Sequence, residues 1–465
     1  MEKKPLLGLC PIGKFVFSNE DAVRQKGIIQ TLLKKWNVRY VDLDGVLEDG
    51  LVKDQNCVDR VVEYFRQAGV ECLFMPHCNF GTESAVGMIA KKLEVPTLLW
   101  GPRDEAPLPD GIRLRDTLCG LLASSKVLHK LGVAFTYIEN CWPDDPALER
   151  GVDTFLRAAN VAGAFRRGIR IGLIGQRIEF FWSTIVNESE LLHRFNVEVL
   201  PIDMVEFINA ARRRACQMRT TYEREIKELR KCYLIEGLDD DAFANVLAVR
   251  DQIFTLAEQH KLDGIAFQTF MSVIEAMGAY CIYAESQVAE HYPFALESDI
   301  HGVISDLSLR RVNFDAEPVY LAEFTVRHPH NDNGILLWHA GAPVSMRHPD
   351  ERVRIGKHWI LPSPLSGMLH FRMKDGPITV ARFDGDNGIY QLAVGEGKTI
   401  EGPRTLNNYV WMEVNNWPLW ERALIRGPFI HHCAMAYGHF ADALVEACRF
   451  VPGLRAVKLG EHPGP

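Results

Sequence analysis

The sequence predicts an α/β protein in which two parallel-sheet domains precede a mainly antiparallel, barrel-like β domain. Three observations predict it. The first part alternates short apolar runs with longer amphipathic ones, and a second alternation of the same kind starts near residue 170. After about residue 300 the helical period gives way to closely spaced β-rich runs cut by Pro and Gly. A chain of 465 residues is in any case too long for one ordinary core. The expected domains are 1–165, 166–300 and 301–465.

In the first domain LLGLCPI, VRYVDL, ECLFMPH, PTLLWG and AFTYIEN read as buried strands bounded by Gly, Pro, Asn or Asp. Helical patterns over 19–36, 58–69, 82–93 and 117–132 separate them, so the strands are expected to run parallel beneath helices on both faces. Ligands of such sheets sit beyond the strand C-termini. There PIGKF places Lys14, and HCNFGTES places Asn79 and Thr82. The second domain runs from RIGLIG through VEVLPID and charged helices over 212–232 and 239–261 to LDGIAFQTF, which sets Gln268 at a strand end. The run ARRRACQMR reads as a solvated helix face. Gly172 and Gly175 do not complete a GxGxxG dinucleotide fingerprint. The third domain offers PVYLAEF, GILLWHAG, ITVARFD, YQLAVGEG and NYVWMEV as strands, with a last helix at 440–450.

Composition excludes several classes. With Lys and Arg at 52 against Asp and Glu at 60, the net charge of −8 argues against a nucleic-acid partner. No apolar run reaches membrane-spanning length, and the segment MEKKPLLGLCPIG has no long apolar stretch of the secretory kind. The 11 cysteines form no CxxC pair and many sit in apolar contexts, so buried reduced thiols and a cytoplasmic location are expected. Histidine is distributed unevenly. Twelve of the 16 follow residue 290, which points to the C-terminal part for metal or proton-transfer chemistry.

The stretch FALESDIHG places Glu297 and Asp299 at the junction of the second and third domains, where small-molecule sites favour domain boundaries. Glu323 interrupts the apolar VYLAEFTV, His339 ends ILLWHAG, and His431 and His432 open FIHHCAMAYGHF. Singly, each has an ordinary explanation as a cap, an ion-pair partner or a hydrogen-bonded core residue. Together, two carboxylates and one or two imidazoles suit a divalent cation such as Mn²⁺ or Mg²⁺ better than zinc, with positions left for substrate oxygens. Asp299 is expected to be structural, bonding the backbone at the junction.

ALESDIHG, YLAEF, LLWHAG, GPITVARF and HHCAMAYGHF resemble, in that order, the landmarks of the L-fucose isomerase and L-arabinose isomerase superfamily. The resemblance extends to PHCNFGTESAVGMIAKKLEVPTLLWGPRD and RDTLCGLLASSKVLHKLG, so it covers nearly the whole chain, and it is strongest to the short fucose-isomerase-like branch. It implies two Rossmann-like domains and a β-barrel-like domain, interconversion of an aldose with a ketose, and a resident Mn²⁺, with Mg²⁺ or Co²⁺ as alternatives. Glu297 corresponds to the first metal-binding glutamate, Glu323 fills the second acidic position, and His432 rather than His431 matches the histidine ligand. His339 fits the additional histidine of the arabinose branch, as a metal or substrate ligand. Glu323 and His339 lean to the arabinose branch, whereas the Glu-Ser-Asp and Tyr-Gly-His segments lean to the fucose branch. The substrate implied is a small sugar, an acidic sulfonated one included.

The isomerisation takes a proton from one carbon and returns it to its neighbour, so Glu297 and Glu323 are expected to be catalytic. Gln268, His339, Asn79, Thr82 and Lys14 are expected to bind substrate. The resemblance further implies a homo-oligomer, trimeric or hexameric, in which the Asn79 loop reaches a neighbour's site. An epimerase or lyase using the same site, and a non-catalytic sugar-binding protein, are the alternatives.

Overall fold

The computed structural model describes residues 4–360 and 364–461; the first three residues of the N-terminal segment and part of LPSPLSG lie outside them. The chain forms two compact units, Met1–Gly163 with Glu446–Val451, and Ala164–Val445 with Pro452–Pro465.

The first unit holds a five-stranded parallel sheet of Leu7–Leu9, Tyr40–Val41, Cys72–Pro76, Thr97–Trp100 and Phe135–Tyr137, in spatial order 2-1-3-4-5. Its helices form for local reasons. Asn19–Lys35 is capped by Ser18, whose hydroxyl accepts from Asp21 N, with acids in the first turn and lysines in the last. Val58–Gln67 buries Val58, Val61, Val62 and Phe65, one face of a 3.6-residue period.

The second unit starts with a parallel sheet of Ile169–Ile174, Val197–Ile202, Gly264–Phe267 and Phe294–Ala295. In that numbering the spatial order is 4-3-1-2, so it repeats the arrangement of the first sheet. In both sheets the order reverses between the first and third strands, the place where such folds leave a crevice for ligand.

The β part of this unit closes on itself. Strand Ile389–Ile400 pairs antiparallel with Pro377–Asp386 through its first ten residues and with Asn408–Val414 through its last four. Between those two lie His432–Tyr437, Tyr320–Arg327 and Gly334–His339, each antiparallel to its neighbours. The result is a six-stranded antiparallel barrel, as expected, to which Leu454–Lys458 and Ser366–Arg372 add as parallel flanking strands. Closure removes the sheet edges that would otherwise be exposed.

Two helices depart from the expected β texture after residue 300. Ile300–Val312 is buried on every side except Arg311, Ser305, Asp306 and Ser308 included, and packs against both the parallel sheet and the barrel. A helix apolar or buried all round shows no amphipathic stripe, so the sequence gives no periodic signal for it. Trp417–Arg426 is the second, capped by Asn416 with proline in its first turn. All eleven cysteines are free, seven of them buried. Among the described residues, no helix is long and apolar enough to cross a membrane.

Candidate metal centre

Glu297 sits in the loop between Phe294–Ala295 and the buried helix, at the reversal point of the second sheet. Its φ is 61° and that of Ser298 is 58°, two successive left-handed residues that are not glycine. Each costs roughly 1–2 kcal/mol, so the loop needs anchors. Ser298 N donates to Phe267 O (3.1 Å) and Ser298 Oγ donates to Gln176 O (2.9 Å), which ties the loop to the ends of the first and third strands of the sheet. Asp299 caps the helix by accepting from Gly302 N (2.9 Å).

The barrel supplies the other groups. Glu323 lies directly opposite His432 in an antiparallel ladder, so their side chains share a face. His339 ends the neighbouring strand. His432 Nε2 lies 3.2 Å from Glu297 Oε2 and 3.6 Å from Glu323 Oε1. His339 Nε2 lies 3.4 Å from Glu323 Oε1 and 3.9 Å from Glu297 Oε2. One donor atom from each of the four residues falls within 4.8 Å of the others. The four residues proposed from sequence as metal ligands therefore meet.

His432 is held by a second layer of charge. Asp299 Oδ2 lies 2.9 Å from His432 Nδ1, while Arg382 bonds both oxygens of Asp299 and, through Nε, Asp384 Oδ2 (2.9 Å). Asp384 in turn meets His301 Nδ1 (3.1 Å). Burial would push the Asp299 carboxyl up, but the Arg382 guanidinium and His432 outweigh it and hold it far below the usual carboxylate range. An ionised Asp299 only accepts, so the proton of that bond belongs to His432 Nδ1. The expectation that Asp299 bonds backbone is met, and it also orients an imidazole.

That assignment decides what the centre fits. With its proton on Nδ1, neutral His432 turns a lone pair at Nε2 toward two carboxylates, and neither Nε2 nor Glu297 Oε2 has a hydrogen-bond partner among the described residues. Converging lone pairs in a buried site require positive charge, from protons on the imidazoles or from a cation bound by all four residues. Protons leave a clear trace. Burial lowers the affinity of His339 and His432 for protons, yet the facing carboxylates outweigh it and raise both, His432 well above 6.5. In return Glu297, which burial alone would raise, falls to about 2, and Glu323 is pulled down below the ordinary range by His339, His431 and His432. The donor set of two carboxylates and two imidazoles matches a divalent ion such as Mn²⁺.

The remaining site residues lie at two places. Gln268 follows the strand Gly264–Phe267, its N donating to Ile174 O (3.0 Å), and packs where a Cβ on Gly175 would meet it at 2.9 Å. It is thus at the same sheet reversal as the Glu297 loop. Lys14, Asn79 and Thr82 cluster at the reversal point of the first unit's sheet. Asn79 is buried, with Oδ1 accepting from Lys14 N and Phe80 N and Nδ2 donating to Lys14 O and Ser18 O. The Thr82 hydroxyl donates to Gly13 O and Lys53 O. Their polar groups shape the loop, while the Lys14 ammonium lies 4.5 Å over the Phe80 ring.

The structure adds one residue beside these four candidate ligands. The strand begins at His432, so His431 precedes it, and its Nε2 lies 3.5 Å from Glu323 Oε1. At 48% side-chain exposure it meets solvent, whereas His432 at 1% does not. His432→Ala is expected to weaken Mn²⁺ binding at least 100-fold by calorimetry, and His431→Ala by no more than about tenfold, the low end for a group beyond the ligands. The reverse order would move the ligand by one residue.

The N-terminal domain described as fucose/sulfoquinovose isomerase matches residues 8–166, and the L-fucose isomerase C-terminal domain matches residues 365–452. Together they span just over half of the chain. The chain belongs to the fucose and sulfoquinovose isomerase family. It is a sugar isomerase, an intramolecular oxidoreductase, and the non-catalytic alternative falls. His432 lies within the C-terminal family match, while Glu297, Glu323 and His339 lie between the two. The sulfoquinovose isomerase of Alkalicoccus urumqiensis is 23% identical over 319 residues, covering 68% of this chain and 69% of its own. Among solved structures, a periplasmic solute binding protein from Actinobacillus succinogenes 130z with bound D-allose matches at 13% identity and a TM-score of 0.18, covering 67% of this chain and 92% of its own. The glycosyltransferase SnogD from Streptomyces nogalater matches at 8% and 0.16, covering 68% and 96%. At those scores neither carries weight.

Proposed function

We propose that this family member is a metal-dependent aldose–ketose isomerase in which Glu297, Glu323, His339 and His432 hold one divalent ion, Mn²⁺ first among the choices, and the two glutamates move the proton. The observation that carries the reading is the convergence of unpartnered acceptor atoms at Glu297 Oε2 and His432 Nε2 in a buried, four-residue cluster. The ion when bound supplies positive charge that acidifies the C–H beside a carbonyl and steadies negative charge developing on oxygen.

The chain's own groups do the rest. Glu297 and Glu323 are both ionised at neutral pH, so either can take a proton from carbon. One carboxylate removes the C2 proton of the aldose and returns it to C1 after the cis-enediol forms. The other carries the hydroxyl proton from O2 to O1, so that aldose and ketose balance. Side-chain exposures of 15–16% at the two glutamates, against 6% and 1% at the histidines, turn the carboxylates toward the substrate side. His432, fixed by Asp299, keeps its position while charge moves. The substrate is a sugar of the fucose or sulfoquinovose kind, supported by the family matches and the sulfoquinovose isomerase relative.

The test follows both kinds of sugar by NMR in D₂O. Protein stripped with EDTA is expected to give no ketose signal and no deuterium at C2, and Mn²⁺ is expected to restore both; full turnover by the stripped protein ends the metal reading. Binding should also depend on pH with a definite sign. The imidazoles bind protons more tightly in the metal-free fold than the ordinary value of 6.5, so the ion displaces them and its affinity rises with pH through their raised values. By the same linkage, their stabilisation of the metal-free fold is complete below 6.5 and is lost as pH rises through those values.

A further inference from the structure

The register of the barrel places more than candidate ligands beside the centre. His432 lies opposite Glu323, Glu323 opposite Trp338, and Trp338 opposite Tyr409, which is paired in turn with Arg372 on the next strand. Paired residues of neighbouring strands share a face, so one row of side chains runs from His432 and Glu323 to an arginine. At about 5 Å per strand, Trp338 stands one step from Glu323 and Arg372 three steps, about 15 Å.

Trp338 is half-buried, and its ring centre lies 6.3 Å from that of His339. Packing on Leu336, Tyr409 and Trp411 holds it in place, and its indole N–H donates to Leu406 O (2.7 Å). Trp359 stands almost perpendicular to it, with ring centroids 6.2 Å apart at 84°, and is 53% exposed. Beyond this corner of two indoles is a cavity of about 460 Å³, lined among the described residues by Trp359, Tyr409 and four arginines with a single carboxylate, Glu351. Glu351 pairs with Arg404 (3.0 Å), and Glu236 with Arg354 (3.1 Å). Arg372 meets only the exposed Asp375 (3.4 Å) and Glu401 (3.5 Å), long contacts of the kind that contribute little. Its guanidinium is therefore open to a better-placed anion.

We propose that Trp338 and Arg372 form the subsite for the far end of the sugar: the indole face carries the carbons remote from the reacting pair, and the guanidinium receives an acidic group at the end of the chain. The proposal rests on the isomerase reading of the centre and narrows its substrate to an anionic sugar. The C–H groups of a sugar carry partial positive charge and lie against the electron-rich face of an aromatic ring. A sulfonate or carboxylate offers paired oxygens to the planar fork of arginine. A six-carbon sugar with its acidic group, together with the long side chain of Arg372, spans the three strand spacings. A neutral 6-deoxy sugar would cover Trp338 and leave Arg372 unmatched.

The experiment compares sulfoquinovose with glucose, which has a neutral hydroxyl in place of the sulfonate. KM and kcat are measured for both, beside calorimetric binding of their alditols, which lack the carbonyl and do not turn over. Native protein is expected to bind the sulfonated alditol at least tenfold more tightly than the neutral one. Arg372→Ala is expected to raise KM for the sulfonated sugar about 10–100-fold, the size of a bond to a charged group, with kcat changed much less. It should also erase the preference between the alditols, and Arg372→Lys should restore part of it. Trp338→Leu is expected to weaken both sugars alike, up to about tenfold, and Trp338→Phe to recover most of that loss, with Mn²⁺ affinity native in each variant. Equal affinity of native protein for the two alditols overturns the proposal, as does an Arg372→Ala protein that loses both equally. A Trp338→Leu protein that loses Mn²⁺ affinity but not alditol affinity overturns the platform and assigns the ring to supporting His339. Full turnover without metal removes the metal reading, and the alditol measurements still decide the subsite.

Discussion

Glu323→Gln is expected to stop sugar isomerisation while leaving the protein folded. The substitution keeps the volume of a side chain that stands on a barrel strand opposite His432, so the ladder between Tyr320–Arg327 and His432–Tyr437 is undisturbed. What it removes is a negative charge facing three imidazoles at 3.4–3.6 Å. Loss of a positioned acid–base group alone lowers the rate about 10²–10⁴-fold, and loss of a proposed metal ligand would add to that. Glu297→Gln should behave alike in turnover. The check is a paired measurement, isomerisation rate beside circular dichroism and melting temperature. A Glu323→Gln protein that retains more than a tenth of native turnover would take the residue out of the proton path.

Asp299→Asn is expected to be the most damaging change to stability near the site. Asp299, Arg382 and Asp384 are almost fully buried, and Arg382 is shared by the two aspartates. Neutralising Asp299 leaves the guanidinium with one partner and His432 Nδ1 facing an amide. Breaking a buried ion pair by removing one member costs about 3–5 kcal/mol. The folded carboxyl is held far below its ordinary value, so this contribution is present at neutral pH and is lost only as pH falls below the usual carboxylate range. Chemical denaturation of the metal-free variant measures the cost without involving activity. A loss under 1 kcal/mol would show that solvent or repacking compensates the arginine.

The layout of the molecule was legible because its elements speak locally. Short apolar strands alternating with capped, striped helices identify a parallel sheet without knowledge of the fold, as Val58, Val61, Val62 and Phe65 show. Glu297, Glu323, His339 and His432 stood out as polar residues interrupting apolar runs, and ordered resemblance joined them. The residues behind them were harder to read. Arg382 in ITVARFD is also a charge inside an apolar run, but its partner Asp299 is 83 positions away, and no periodicity links the two. Ile300–Val312 hid because burial on all sides erases the stripe that marks a helix. His431 reaches Glu323 because it precedes the strand that starts at His432, outside the alternation of faces that a strand imposes.

The way the barrel closes has a consequence for the order in which this centre comes into being. Glu297 comes from a loop on a parallel sheet, and Glu323, His339 and His432 come from three barrel strands, the last of them 135 positions after Glu297 in the chain. The ring of strands cannot close until Asn408–Val414 has paired with Ile389–Ile400, and His432 joins only with the strand that follows. Glu323 and His339 meet across two consecutive antiparallel strands, whereas Glu297 and His432 reach them from farther along the chain, and contacts so distant in sequence form late. An ion held by all four residues would join the parallel-sheet loop to three barrel strands. At a hundredfold excess over its dissociation constant, an ion so placed would add about 2.7 kcal/mol to the folded state, coupling the persistence of the fold to the filling of the site.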